Sequence, residues 1–274
     1  AERAKDVNYV SSLFFNDCIE NAKSMTQGGG DTVIASPMLM GITNVIDSLI
    51  AMKQFVYDEG VIPLDDLIAA LAASWEGYED IPRLIMQGYT TLAWEINEQL
   101  GGKEKPTHLF LQAGVGSMAG AIAGYFASLW KEECPKIIIV EPDKADCIFR
   151  TAKADDGTLH VVTGSMDSMM AGLCCGEPCT IGWDILKNVA SAFISCDDSY
   201  AAYGMRLLGR PEGGDPVIIS GESGAVTAGV AAKILEDEEI RSALGMDENS
   251  RILVISTEGD TDRENYKRIL KSKG

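Results

Sequence analysis

The 274-residue sequence has few basic residues and no long apolar run. It contains 23 Lys and Arg against 41 Asp and Glu, which gives a formal net charge of −18. Such a composition offers no basic patch for nucleic acid or an anionic membrane surface, so we expect neither partner. No apolar run reaches the ~20 residues that a spanning helix needs, and no secretory signal pattern is visible. The sequence therefore predicts a cytoplasmic protein without a membrane anchor.

The seven cysteines include no Cys-x-x-Cys pair. Cys174, Cys175 and Cys179 are clustered, and the two histidines of the chain lie far apart in the sequence. A metal site is one interpretation of the cluster, but its spacing matches no common zinc motif. The chain is also too long to depend on disulfides. We therefore interpret these residues as reduced thiols and predict no metal.

Two parts of the chain differ in their apolar pattern. Residues 1–74 have helical spacing over 43–59, and Pro63 followed by Asp65 and Asp66 predicts the start of a second helix. From residue 75 onward, short apolar strands alternate with helices, which is typical of a parallel sheet covered on both faces. The sequence therefore predicts a helical segment, 1–74, followed by a three-layer α/β domain, 75–274.

The expected elements of the second part can be placed along the chain. A long helix starts near Pro82 and ends at Gly101, and further helices cover about 118–131, 182–191, 198–208, 223–236 and 261–270. The predicted strands are Thr107–Gln112, Lys136–Val140, Leu159–Val162, Ala192–Ile194, Val217–Ser220 and Arg251–Ser256.

A glycine loop, Gly114-Val115-Gly116-Ser117, follows the first predicted strand and opens a helix. Glycine allows the backbone to approach an anion closely, and the N–H groups at a helix start favour phosphate. The Ser117 hydroxyl adds a further donor. The loop predicts a site for a phosphate-bearing cofactor, although a tight turn with no ligand has the same composition.

The identity of the phosphate compound is open on this evidence. Gly114-x-Gly116-x-x-Ala119 fits a dinucleotide fingerprint, and Glu141 ends the next predicted strand, where a ribose-binding acid belongs. A nicotinamide-dependent oxidoreductase is therefore an alternative. A P-loop is excluded because no Gly-Lys-Ser/Thr follows the glycines.

Two further polar loops follow predicted strands, at 220–225 and 256–262. Either loop alone is explained by helix capping. Ligands of α/β proteins bind at the carboxyl edge of the parallel sheet, where such loops converge. The three loops together therefore predict one shared site.

Several longer stretches resemble diaminopropionate ammonia-lyase. They include Trp-Glu-Gly-Tyr-Glu-Asp-Ile-Pro at 75–82, Val-Glu-Pro-Asp-Lys-Ala-Asp-Cys at 140–147 and Ile-Ser-Gly-Glu-Ser-Gly-Ala-Val at 219–226. This family comprises pyridoxal-phosphate enzymes of the tryptophan-synthase-β fold that convert the small amino acid 2,3-diaminopropionate to pyruvate and ammonia. The resemblance covers about 75–274 and implies an amino-acid catabolic lyase that is a homodimer.

The resemblance also implies roles for individual residues. Gly114, Val115, Gly116 and Ser117 would hold the phosphate of pyridoxal 5'-phosphate. Ser256 would meet the pyridine nitrogen, and Glu222 and Ser223 would line the edge of the pocket.

Residues 1–79 resemble a different family, the glycyl-radical enzymes of the pyruvate-formate-lyase type. The resemblance rests on Phe-Phe-Asn-Asp-Cys-Ile-Glu at 14–20 and on residues 44–53, and it lacks the radical glycine motif. The two resemblances overlap at 75–80. A natural fusion, a recombined fragment and a constructed chimera each account for this arrangement.

The resemblance leaves the Schiff-base lysine of the lyase family unidentified. In that fold the lysine lies early, before the part that this chain matches. Only Lys5, Lys23 and Lys53 precede residue 74, and none has the expected neighbours. We therefore expect weak binding of pyridoxal phosphate and impaired activity. A non-catalytic fusion fragment is a further alternative.

Overall fold

The computed structural model describes residues 105–272 without a gap, together with 57, 60, 62–72, 86 and 88–101. The predicted helix at 43–59 lies outside the described residues, except for single positions. Helix α1, Leu64–Ala72, begins directly after Pro63 and carries Asp65 and Asp66 in its first turn. The prediction from Pro63 and its two aspartates is confirmed.

Four parallel strands form the sheet in the described part of the chain. They are β1, His108–Gln112; β2, Lys136–Pro142; β3, Ala190–Cys196; and β4, Ile252–Val254. Their spatial order is β3-β2-β1-β4, and β1 pairs with β2 and β4. Every residue of β1 is buried, as is β2 after Lys136. These two strands read as continuous apolar runs because both faces of the sheet are covered.

Helices cover both faces of this sheet, which confirms the three-layer α/β architecture. One core cluster joins β1 and β2 to helices through Ala93, Phe126 and Leu186, and the opposite cluster joins Phe110 and Ile138 to the helices on the other face. The helices are α2, Thr90–Leu100; α3, Ser117–Trp130; α4, Cys147–Ala154; α5, Thr180–Val189; α6, Asp198–Gly209; α7, Glu222–Glu236; α8, Glu238–Ala243; and α9, Arg263–Lys271.

Two predicted strands are wrong. Residues 159–162 form a loop in which the Val162 N–H donates to the carbonyl of Gly176. Residues 217–220 run beside α6, where the Ile218 N–H donates to the carbonyl of Leu208. Short apolar runs predicted strands at both places. The backbone N–H groups of these runs bind a loop and a helix end instead of a neighbouring strand. The two short helices α4 and α8 were missed because neither is long enough to show a clear apolar period.

Helices α6 and α7 approach each other through glycines. A Cβ atom built on Gly204 would lie 2.1 Å from the carbonyl oxygen of Ala225, and one on Gly229 would lie 2.0 Å from the carbonyl oxygen of Tyr200. Both neighbours are backbone atoms, which cannot move without separating the helices. This contact fixes the position of α7, whose first turn belongs to the candidate site.

Gly204→Ala should lower the free energy of unfolding by about 1–3 kcal/mol, because the added methyl group forces α6 away from α7. Urea denaturation measures the change. Gly88→Ala is the matched control, since a Cβ there meets no atom of the described residues within 4 Å. Equal stability of the two variants would contradict the close contact.

Candidate functional site

The ends of β1 and β4 are joined by a buried side chain. Gln112, the last residue of β1, donates from Nε2 to the carbonyl of Ile255 and to Oγ1 of Thr257, both at 2.9 Å. Only 1% of Gln112 is exposed. This amide holds the segment that follows β4 against the segment that follows β1, at the carboxyl edge of the sheet.

The glycine loop leads directly from β1 into α3. Gly116 has φ +89°, a conformation that L side chains rarely adopt, and a Cβ there would lie 2.7 Å from Cδ1 of Ile148. Helix α3 starts at Ser117 with no side-chain cap and no acidic residue in its first turn. The first N–H groups of a helix have no intrahelical partner, so this end can bind an anion.

The cysteine cluster packs against this loop. The Cys179 N–H donates to the carbonyl of Val115 at 2.7 Å, and a Cβ on Gly114 would lie 3.2 Å from Sγ of Cys175. Burial raises the pKa of Cys175, although a hydrogen bond from the Val115 backbone opposes the shift. Within the described ranges, no group of three His, Cys, Asp or Glu side chains is arranged to hold a metal ion. Two members of the cluster, Cys175 and Cys179, therefore contact the glycine loop directly.

A short segment between the loops was not singled out as part of the site. Gly172 and Leu173 belong to a single turn of 3-10 helix, Ala171–Leu173. Leu173 lies against Gly114, and Gly172 lies against the side chain of Ser223. This segment connects the glycine loop to the start of α7. The stretch 170–173 resembles the lyase family, but its apolar residues do not indicate this contact.

The start of α7 is held by the loop that follows β4. The Ser223 N–H donates to Oε1 of Glu258 at 2.5 Å, and the Gly221 N–H donates to the Glu258 carbonyl at 3.1 Å. Ser256 donates from Oγ to Oγ of Ser220 at 2.8 Å. Burial raises the pKa of Glu258, and backbone hydrogen bonds from Ser223 and Gly224 oppose that rise.

The residues expected to form the site fall at one edge of the sheet. The glycine loop, 114–117, follows β1; Ser256 follows β4; and Glu222 and Ser223 open α7. Glu222 accepts a hydrogen bond from Nδ2 of Asn265 at 2.6 Å. Oγ of Ser223 is buried and has no hydrogen-bond partner in the described part of the molecule. The assigned roles of these residues toward a cofactor stay predictions.

Glu141 binds backbone N–H groups of the protein instead of a ribose. Its carboxylate accepts hydrogen bonds from the N–H groups of Ile148 at 3.0 Å and Phe149 at 2.6 Å, so it caps α4 from inside the protein. Only 1% of the residue is exposed. Burial raises the pKa of Glu141 to about 8. A buried carboxylate that already binds two N–H groups is not available to a nicotinamide cofactor.

Comparison with known proteins identifies the family of the chain. The family model for pyridoxal-phosphate dependent enzymes matches residues 56–258. The chain belongs to this family. Its cofactor is pyridoxal 5'-phosphate, and the nicotinamide alternative receives no support. A second model, for pyruvate formate lyase-like proteins, matches residues 5–90, and the chain is 38% identical over 81 residues to the probable dehydratase YbiW of Escherichia coli, covering 29% of this chain and 10% of that protein.

The chain is similar to curated diaminopropionate ammonia-lyases. It is 51% identical over 201 residues to the enzyme of Escherichia coli K12 and 48% identical over 203 residues to that of Salmonella typhimurium. Each match covers 72% of this chain and 50% of the relative, so the chain spans about half the length of these relatives.

Solved structures of the same lyase are also similar to this chain. The Escherichia coli lyase in complex with D-serine is 45% identical with a TM-score of 0.65, and the match covers 75% of this chain and 54% of that one. The same enzyme with an aminoacrylate–PLP azomethine reaction intermediate is 49% identical with a TM-score of 0.64, covering 72% and 50%. A threonine deaminase at 16% identity and a TM-score of 0.50 shares the fold. The fold is pyridoxal-phosphate fold type II, as the tryptophan-synthase-β resemblance implies.

The described residues suit the phosphate end of pyridoxal 5'-phosphate. The uncapped first turn of α3 and the glycine loop before it suit a phosphate group. The lysine that would bind the aldehyde carbon stays unidentified. Five described lysines bind polar partners at exposed positions: Lys105 with Glu133, Lys136 with the Leu244 carbonyl, Lys144 with Asp198, Lys187 with Asp184 and Lys233 with Glu236.

Glu141→Gln should make stability less dependent on pH. The pKa of this group is 4.5 in its ordinary state and about 8 in the folded chain, so the unfolded chain loses the proton first as the pH rises. The free energy of unfolding therefore falls with rising pH across this window, by at most about 1.4 kcal/mol per pH unit, and glutamine abolishes that fall.

Thermal unfolding between pH 5 and pH 8.5 tests this expectation. The difference in melting temperature between Glu141→Gln and the wild type should grow steadily with pH. Glu177→Gln, a change at an exposed glutamate, should have the same pH dependence as the wild type. A constant offset across the pH range would show that Glu141 titrates normally.

Proposed function

We propose that the chain supplies the phosphate-binding half of a pyridoxal-phosphate ammonia-lyase active site for 2,3-diaminopropionate. The uncapped first turn of α3 behind the glycine loop carries the proposal. It lies at the sheet edge where Ser256 and the start of α7 also lie, and the similarity to diaminopropionate ammonia-lyases covers the same region.

The residues of the chain would bind and orient the cofactor. Pyridoxal phosphate, when bound, supplies an electron sink that makes the α-proton of an amino acid acidic and allows a β-substituent to leave. The N–H groups at the start of α3 and the Ser117 hydroxyl would hold its phosphate. Ser256 would present a neutral hydroxyl to the pyridine nitrogen, and its bond to Ser220 would fix the direction of that hydroxyl.

Glu222 and Ser223 would form the rim of the pocket. Glu222 is only partly buried and is held by Asn265, so its carboxylate has a defined position at the start of α7. The buried Oγ of Ser223 lies beside Gly172 and close to the Glu258 carboxyl, so it is a hydrogen-bonding group at the start of α7.

The chain alone is proposed to be a poor catalyst. Its relatives are about twice as long as the matched region, and the lysine that would hold the cofactor covalently is not identified in the chain. A remnant that binds the cofactor without turnover is the second candidate, and the same absence of a lysine supports it.

The proposal also includes two domains, a homodimer and a cytoplasmic location. The two family matches overlap at residues 56–90, which supports a boundary between a segment 1–74 and a lyase-like domain 75–274. The homodimer and the cytoplasmic location are carried over from the family resemblance and the acidic composition. In the described part of the chain, no helix is both long and apolar enough to cross a bilayer.

Ser117→Asp should weaken binding of pyridoxal phosphate by about tenfold or more, because a carboxylate at the start of α3 repels the phosphate, whereas Ser117→Ala should weaken it only slightly. Titration followed by absorbance and fluorescence measures both affinities. Pyridoxal, which lacks the phosphate, should bind the two variants equally. If the aspartate leaves the affinity for pyridoxal phosphate unchanged, the loop is not the phosphate site.

The purified chain should release little or no pyruvate from 2,3-diaminopropionate. Pyruvate is measured with a coupled dehydrogenase assay, and bound cofactor is reduced with borohydride before the labelled lysines are mapped by mass spectrometry. Scattered labelling of exposed lysines is the expected result. A single labelled lysine together with turnover would show that the chain contains its own anchor and would contradict the proposed incompleteness.

A further inference from the structure

A buried amide binds the residues on both sides of Ser256. Nε2 of Gln112 donates to the carbonyl of Ile255 and to Oγ1 of Thr257, each at 2.9 Å. A backbone carbonyl only accepts hydrogen bonds, so the contact with Ile255 requires the nitrogen of the amide at this position. Gln112 therefore binds the chain directly before and directly after the serine.

The pairing of β1 with β4 ends before it reaches Ser256. Its last pair is Phe110 opposite Val254, and the backbone of Gln112 is paired with Val140 of β2 on the other side of β1. The side chain of Gln112 thus continues the link between β1 and β4 beyond their last paired residues. Through this amide, the segment that contains Ser256 is attached to the end of β1.

Packing alone does not account for an amide at this position. The three residues before it in β1, Leu109–Leu111, are apolar and fully buried, and a methionine would fill nearly the same volume as the glutamine. A buried polar group costs stability unless it is hydrogen-bonded, and a satisfied one specifies a single arrangement of the segments that it joins. The segment that Gln112 arranges carries Ser256, whose side chain is exposed.

The hydroxyl of Ser256 retains hydrogen-bonding capacity for a ligand. A hydroxyl has one donor and two acceptor positions. The contacts of Ser256 Oγ with Oγ of Ser220 at 2.8 Å and with the Glu258 carbonyl at 3.3 Å leave at least one of these positions for a ring nitrogen.

Gln112 is also close in sequence to the phosphate-binding loop. It lies two residues before Gly114, the first residue of the glycine loop. A pyridine ring is rigid, so a cofactor whose phosphate is held at the loop presents its ring nitrogen at a fixed distance from that loop. The hydroxyl that meets this nitrogen must be held at the same distance, which requires a supporting contact.

We propose that Gln112 is a positioning residue for the ring nitrogen of pyridoxal phosphate. It acts through Ser256, whose hydroxyl it holds at the distance from the glycine loop that the cofactor requires. The inference rests on the proposed function, because it needs the phosphate at the glycine loop and the ring nitrogen at Ser256.

The affinity of the full chain for two ligands tests the proposal. The ligands are pyridoxal 5'-phosphate and its deaza analogue, in which a C–H group replaces the ring nitrogen, and binding is followed by absorbance and fluorescence. The wild type should bind pyridoxal phosphate about fivefold to tenfold more tightly than the analogue, which is the effect of one hydrogen bond. Gln112→Met keeps the volume but binds neither neighbour of Ser256, so it should reduce this affinity ratio to about twofold or less.

A merely structural role of the amide predicts a different result. If Gln112 only stabilises the fold, Gln112→Met weakens the binding of both ligands by the same factor and leaves the affinity ratio as in the wild type, which would overturn the proposal. Ser256→Ala should abolish the preference, and adding Gln112→Met to Ser256→Ala should change the ratio no further. A change of the ratio in that background would show that the amide acts by another route.

A second pair of variants tests the same link even if Gln112→Met does not fold. Thr257→Val removes one of the two acceptors of the amide at an exposed position and should lower the affinity ratio about twofold. Thr257→Ser is the matched control, because it keeps the hydroxyl and should keep the wild-type ratio. Circular dichroism and urea denaturation establish that the variants are folded. Equal ratios for the two variants would contradict positioning through Gln112.

The outcomes also separate this inference from the proposed function. A wild type that binds neither ligand removes the proposed function and this inference with it. Equal binding of the two ligands by the wild type overturns the inference and leaves the phosphate site standing. A preference that is lost in Ser256→Ala but kept in Gln112→Met leaves the proposed function standing and overturns only the role of Gln112.

Discussion

The buried amide of Gln112 joins the two halves of the candidate site. The glycine loop follows β1 and the Ser256 segment follows β4, and 143 residues separate Gln112 from Ile255, whose carbonyl the amide binds. Breaking this buried hydrogen bond is costly, because the amide donor would be left with neither a protein partner nor water. The segment after β4 is therefore held beside the glycine loop by this side chain as well as by the pairing of β1 with β4.

Helix α3 starts without a carboxylate although the chain is acidic, a property it shares with α2 and α5. Acidic side chains accept hydrogen bonds from the first turns of most of the later helices, where they satisfy the free N–H groups and complement the helix dipole. Helix α3 has no such cap. The capping residues are Glu141 for α4, Asp197 for α6, Glu258 for α7, Asp237 for α8 and Asp262 for α9.

The strands of the sheet differ in how completely other elements cover them. Strands β1 and β2 are enclosed between other strands and between helix layers, whereas β4 pairs with β1 and with no other strand among the described residues. The chain spans about half the length of the curated relatives that it matches.

The sequence by itself determined the parallel sheet, its longer helices and the glycine loop, because continuous apolar strands, helical periods and Gly114-x-Gly116 are local signals. It also determined the family through the motifs at 75–82, 140–147 and 219–226. It misplaced strands at 159–162 and 217–220, since a short apolar run does not reveal whether a sheet neighbour exists. Only the tertiary structure decided that Glu141 caps a helix and that Gly172 and Leu173 bridge the loops. Those roles depend on contacts between residues far apart in the sequence, which no local pattern encodes.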